Sequence, residues 1–160
     1  MPLDEVMRDT TAMGGLAIYG FVAILFLLLG ETETFVRLVI GLALCYTIIA
    51  PIRLLFFKVR PDKQKFSGVF TKIDAGSFPS MHSARSTVLA FVLAQVFTEP
   101  WIRVLLVLGV LGVVATRVLL KRHHVGDVVG GVVIGLIVGW LTLAVTSFVF
   151  GMLFVLALSL

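Results

Sequence analysis

Five long apolar runs, separated by short polar breaks, dominate the pattern of positions along this chain. The first extends from about Thr10 to Gly30 without a charge and ends at the polar turn "ETET" (31–34). The second covers about Phe35 to Phe57, with Arg37 and Arg53 near its ends, where long side chains reach the interface, and with Pro51 placed to kink its last turns. A third begins near Ser80 and ends by Thr98; after the turn "TEP" a fourth covers Trp101 to about Leu120. The last, Val128 to Leu160, carries no charge. As a straight helix it would measure about 50 Å, at ~1.5 Å per residue, against a hydrocarbon core of about 30 Å. The expectation is therefore one span to about residue 150, followed by a separate or bent apolar tail. Each crossing needs about 20 apolar residues, so the pattern predicts an all-α, polytopic transmembrane helix bundle of five spans, or six if the tail forms its own.

The polar stretch from Lys58 to Pro79 is too long to be structureless in so small a protein. Within it Phe66, Val69, Phe70 and Ile73 recur at helical spacing among Lys63, Lys65 and Lys72, which predicts a short interfacial helix, weakened by Gly68. Gly131, Gly135 and Gly139 fall four apart and give the last helix a smooth face for close backbone packing.

Composition agrees with a membrane protein: 59% of the 160 residues are hydrophobic, well above the 45–50% or so of a soluble domain. Residues 1–160 are expected to form a single membrane-embedded domain, with no room for a soluble one. The N-terminal "MPLDEVMRDTTAMGG" is acidic as much as basic and lacks a small-residue cleavage pattern, so the first run reads as a retained span rather than a signal peptide. Cys45, the only cysteine, excludes an internal disulfide and reads as packing. The net charge of +4 matters less than its placement, between Arg53 and Lys72 and around Arg117 to Arg122. In so apolar a chain that placement points to anionic groups at a bilayer surface and away from nucleic acid. Lys58, Lys63, Lys65, Lys72, Lys121 and Arg122 read as an interfacial basic belt, and Arg37 and Arg103 as residues that snorkel to water.

Ionisable groups near spans are costly, which makes them functional candidates. If five helices alternate in direction, Arg53 and Arg60 after the second, Ser80, His82 and Arg85 at the start of the third, Arg117 at the end of the fourth, and His123 and Asp127 at the start of the fifth emerge on one face. Arginines gathered with histidines and one aspartate make an anion site, and the planar guanidinium fork suits phosphate oxygens. Ser80 is placed to cap the third helix, whose free N–H groups would point into the cluster. A helix starting at His123 would put Asp127 one turn along the same face, able to hold the imidazole by one nitrogen and leave the other as nucleophile, while His82 could donate a proton. Arg85 could as well touch a headgroup as reach water. No carboxylate cluster suited to Mg²⁺ is visible, and two histidines with one aspartate make a thin shell for zinc, so no cofactor is expected.

These residues fall in "RLLFFKVRP" (Arg53 to Pro61), "PSMH" (Pro79 to His82) and "TRVLLKRHHVGD" (Thr116 to Asp127). In order and spacing they resemble the type 2 phosphatidic acid phosphatase (PAP2) superfamily, whose pattern is K-x6-R-P, P-S-G-H and S-R-x5-H-x3-D. The resemblance implies that Arg53, Arg60 and Arg117 hold phosphoryl oxygens, helped by Ser80 and the Met81 backbone N–H. It further implies that His82 is the general acid, His123 the nucleophile and Asp127 its partner, with His124 structural. Arg53 stands where the family usually has lysine, Met81 where it has glycine, and Thr116 where it has serine. The implied function is metal-independent dephosphorylation of a membrane lipid phosphate or isoprenyl diphosphate through a phosphohistidine. The partners are then the substrate and the surrounding lipids, with the oligomeric state open. A lipid phosphotransferase using the same intermediate and a non-enzymatic anion transporter or channel are the competing readings. The bias of Lys and Arg puts the site on the cytoplasmic side, whereas the resemblance implies an extracytoplasmic one.

Overall fold

Hydrocarbon offers the backbone no hydrogen-bond partner, so an apolar run satisfies its own N–H and C=O groups as helix. The computed structural model describes residues 3–62 and 67–159. Among the described residues there are seven helices and no strand: α1 (Leu3–Ala12), α2 (Leu16–Leu28), α3 (Thr32–Leu55), α4 (Val69–Ala75), α5 (Met81–Val96), α6 (Pro100–Leu119) and α7 (Val125–Leu158). Helices α3, α6 and α7 are each long and apolar enough to cross a membrane, while α2 is a shorter apolar helix of 13 residues.

Two of the sequence expectations are corrected. The first apolar run is not one helix: the chain turns at Met13–Gly15, and α1 folds back to pack on α6, where the Thr11 hydroxyl donates to Thr116 Oγ1 at 2.8 Å. The turn depends on Gly14, since a Cβ there would lie 2.8 Å from a Val113 methyl and 3.0 Å from the His82 carbonyl oxygen. The last run does not break near residue 150 but continues as one helix of 34 residues. It contains no proline, and its late glycine, Gly151, has open space around it, so nothing interrupts the hydrogen-bond ladder. The short helix expected in this stretch is α4, seven residues long, with Phe70 88% exposed and the Thr71 hydroxyl accepting the Gly68 N–H at 2.9 Å. Lys63, Lys65 and Phe66 lie outside the described residues.

The core lies where α2, α3, α5 and α7 meet, around Tyr19, Leu38, Cys45, Ile49, Ala84, Val88, Val92 and Val138. The Tyr19 hydroxyl, buried in it, donates to the Leu38 carbonyl at 2.8 Å, which avoids the cost of an unpaired polar group. Helix α5 is the hub, packed against α3, α6 and α7. The glycine face of α7 meets it directly: Gly131 sits on the Ser80 carbonyl, and Cβ atoms at Gly135 and Gly139 would lie 2.7 Å from the Ala84 carbonyl oxygen and from the Phe91 ring. This contact sets how α5 and α7 present their ends to the site.

Candidate active site

Helix α5 begins at one end of the bundle because Ser80 caps it. The Ser80 side chain accepts the Ser83 N–H at 3.4 Å and the Ser83 hydroxyl at 3.0 Å, and is fully buried. Two backbone bonds stitch the neighbouring segments to this end: Ser77 N–H donates to the Lys58 carbonyl, and Ser80 N–H to the Asp127 carbonyl, each at 2.8 Å. Through them the chain after α3, the start of α5 and the start of α7 are joined at one end of the bundle. His82 stands half-buried in the first turn of α5, within electrostatic reach of Arg117, Arg85, His123 and Arg60.

Arg53 is only 2% exposed. Its Nε and Nη2 donate to the Pro79 carbonyl at 3.1 and 2.7 Å, and its Nη1 to the Ile73 carbonyl at 2.8 Å. The stem lies against Gly76, where a Cβ would be 3.0 Å from Arg53 Cγ. Arg60 likewise donates to the carbonyls of Gly76, at 3.4 Å, and Asp74. Both arginines therefore fasten the 73–79 segment, a role that the spacing of the motif did not announce. All three nitrogens of Arg53 engage backbone oxygens, and each terminal nitrogen keeps a second N–H beyond those bonds.

The turn between α6 and α7 carries the nucleophile candidate. Lys121 adopts a positive φ of 53°, and the N–H groups of Arg122 and His123 both return to the Arg117 carbonyl, at 3.0 and 3.1 Å. His123 is thereby folded beside Arg117 and left 2% exposed. Neither nitrogen of its ring has a hydrogen-bond partner, and the Nε of buried Arg117 has none either. Burial holds the His123 imidazole well below its ordinary value, at about 3, reinforced by the charges of Arg60, Arg117 and Arg53 and opposed by Asp127. The ring is neutral at physiological pH, with a lone pair available.

Asp127 departs from expectation. Helix α7 starts at Val125 with His124 as its cap, so Asp127 is the third helical residue and closes a capping box. Its Oδ2 accepts the His124 N–H at 2.9 Å, meets the His124 Nδ1 at 3.1 Å and accepts the Ser77 hydroxyl at 2.5 Å. Its Oδ1 pairs with Lys58 Nζ at 2.6 Å. His123 lies ahead of the cap, outside the helical register that a four-residue spacing assumes, and makes no bond to Asp127. Lys58 and Ser77 are thus site residues that sequence reasoning missed. The signal was present in Lys58, which sits inside the first motif, between Arg53 and Arg60.

A cavity of about 390 Å³ is lined by Arg53, Arg60, His82 and Arg85 together with Tyr46, Ala50, Phe70, Ile73, Asp74 and Met81; His123, Arg117 and Asp127 do not line it. Arg85 is buried, at 5% exposure, and does not reach water; its Nη1 donates to the Tyr46 hydroxyl at 3.1 Å. The Met81 side chain, 6% exposed, packs into the core. A larger groove of about 520 Å³ between α5, α6 and α7 is apolar apart from Thr87 and Arg103, and holds none of the site residues. Among the described residues no group of three or more His, Cys, Asp or Glu is placed to hold a metal ion.

Known proteins resemble this arrangement. Over 89% of this chain and 86% of the other, the fold superposes on the crystal structure of Aquifex aeolicus LpxE with a TM-score of 0.75 at 22% identity. It superposes on a transmembrane PAP2-type phosphatidylglycerolphosphate phosphatase from Bacillus subtilis with a TM-score of 0.65 at 24% identity, over 91% of this chain and 77% of that one. At these identities the likeness speaks for the fold alone. A lipid A 4'-phosphatase of Bacteroides thetaiotaomicron is 41% identical over 64 residues, which is 40% of this chain but only 28% of that relative's length. The model of the PAP2 superfamily matches residues 34–151, most of the chain and all three motifs; this all-α, multi-pass membrane protein belongs to the PAP2 superfamily.

Proposed function

We propose that the chain is a single-domain, membrane-embedded lipid phosphatase working through a phosphohistidine on His123. The observation that carries this reading is the His123 ring itself: buried, neutral, with both nitrogens unpartnered, in the field of Arg60 and Arg117. A phosphate monoester or diphosphate entering by the 390 Å³ cavity, which Arg60 and His82 line, would bring the negative charge that the guanidinium groups around His123 balance. The His123 lone pair attacks phosphorus in line, and the bond from phosphorus to the lipid oxygen breaks. That oxygen takes the electron pair and accepts a proton from His82, which takes up this proton when the anionic substrate binds beside it. Water then attacks the phosphohistidine, gives its proton to His82, and inorganic phosphate leaves with His123 regenerated.

Arg60 and Arg117 bind the transferring oxygens in this scheme. Arg53 adds charge while holding the 73–79 segment, and Ser80 and the Met81 N–H orient the positive end of α5 toward the phosphate. Asp127 acts at one remove, fixing the turn that carries His123 through His124, Ser77 and Lys58. The lipid tail would leave the cavity sideways, past Tyr46, Ala50 and Phe70, into the surrounding bilayer. Release of inorganic phosphate by detergent-solubilised protein, with a lipid phosphate as sole substrate, tests the reading. His123→Ala should reduce turnover by at least about 10⁴-fold with folding intact, since a covalent route is lost outright; undiminished hydrolysis in that variant would refute it.

A further inference from the structure

The proposed mechanism leaves one buried cation unused. Arg85 stands one helical turn below His82 on α5, 5% exposed, and lines the same cavity. Its Nη1 has the Tyr46 hydroxyl at 3.1 Å, its Nε is buried without a partner, and no carboxylate pairs with it among the described residues. A guanidinium kept from water with only a neutral hydroxyl beside it is expensive unless an anion completes it. Snorkelling does not explain it, because the side chain turns into the cavity instead of toward the surface. Nor does packing, which an apolar side chain would serve better at that depth.

Position says which anion. His82, which protonates the departing oxygen in the scheme above, stands one turn nearer the start of α5 than Arg85 and is within electrostatic reach both of Arg85 and of Arg60, Arg117 and His123. The leaving group therefore faces Arg85. A lipid alcohol would bring no charge to that place, whereas a lipid diphosphate attacked at its terminal phosphorus leaves as a lipid monophosphate, with its negative charge on that side. We propose that Arg85 and the Tyr46 hydroxyl form a second anion subsite that holds the phosphate remaining on the departing lipid, so that the chain selects lipid diphosphates over lipid monophosphates. This rests on the reading of the site as a lipid phosphatase and narrows its substrate class.

The test is equilibrium binding to the full-length protein in detergent micelles of two non-hydrolysable probes with the same tail, farnesyl methylenediphosphonate and farnesyl phosphonate. The wild-type chain should bind the diphosphonate about 10- to 100-fold more tightly, the worth of one added charge-assisted contact. In Arg85→Met that ratio should collapse to within about threefold of one, with Arg85→Lys and Tyr46→Phe intermediate. The two milder variants keep the test sharp if Arg85→Met does not fold. A wild-type ratio near one, or a ratio that survives Arg85→Met, would overturn the subsite. Because binding needs no turnover, a failure of phosphate release would count against the phosphatase reading alone, while the subsite stands or falls on its ratio.

Discussion

Replacing Gly131 by alanine should impair the site without replacing any residue in it. A Cβ at position 131 would come to 2.9 Å from Ser83 Cβ, and closer still to the Ser80 carbonyl oxygen, where ordinary contact begins at 3.4 Å. Helices α5 and α7 must part by at least about 0.5 Å at Ser83 and roughly twice that at Ser80, because the obstructing atom there is rigid backbone in a close-packed interface. The Ser80 carbonyl also accepts the Ala84 N–H at 3.0 Å, and the Ser80 N–H is tied to Asp127, so the shift passes to His82 and to the start of α7 together. A misplacement of about 1 Å costs on the order of 100-fold in rate, or about 2.7 kcal/mol of transition-state stabilisation. Overpacking costs about 1–3 kcal/mol in stability, offset by up to about 1 kcal/mol from the better helix propensity of alanine. The assay is phosphate release alongside a thermal melt, with Gly126→Ala as control. Gly126 lies in the first turn of the same helix and has nothing within 4 Å of its Cβ position, so that variant should stay within about twofold of wild type. Activity in Gly131→Ala within twofold of wild type would show that the glycine contact does not set the site's geometry.

Three further outcomes follow from the same contacts. The folded chain keeps His123 neutral down to about pH 3, whereas the unfolded chain takes up that proton near pH 6.5. Stability from this group is therefore complete above pH 6.5 and lost as pH falls toward 3, by about 1.4 kcal/mol per pH unit. His123→Asn should lose less stability than wild type between pH 7.5 and 5.5 in thermal melts, and an identical acid shift in both proteins would contradict the assignment. Lys58→Met removes the cation from the fully buried Asp127 and should cost about 1–3 kcal/mol, partly restored by adding Asp127→Asn; additive losses in the double variant would sink the pairing. Arg53→Lys, which installs the family's usual residue, should lower phosphate release about 10-fold rather than raise it, because an ammonium cannot reach the Ile73 and Pro79 carbonyls together. Wild-type rates in Arg53→Lys would mean the carbonyl contacts are dispensable.

The sequence made legible whatever depends on composition and spacing. The apolar runs behind α3, α5 and α6, the Ser80 cap and the gathering of the arginines and histidines at one end of the bundle all have that origin. The α1–α2 break was hidden because the turn at Gly14 depends on what surrounds it, namely Val113 and the His82 carbonyl, and not on any polar signal in the run. The unbroken α7 was misjudged because membrane thickness constrains where a helix sits, not whether its hydrogen bonds continue. The partner of Asp127 turned on a register difference of a residue or two: a helix starting at His123 brings the two together, and one capped by His124 does not. The carbonyl partners of Arg53 and the choice between headgroup and water for Arg85 lay beyond the sequence for the same reason, since a motif gives a residue's place in order but not the oxygen it finds.

The stitches between helix ends have a mechanical consequence. Ser80 is bound to Asp127 and Ser77 to Lys58, so α5, α7 and the segment leading out of α3 are coupled at the end of the bundle that carries the candidate site. Any lateral pressure or change in thickness that retilts α5 against α7 is transmitted to the reacting centre instead of being absorbed by slack loops. If the chain turns over lipid phosphates as proposed, the acyl-chain length of the host lipids becomes a dial on that rate, acting through helix tilt.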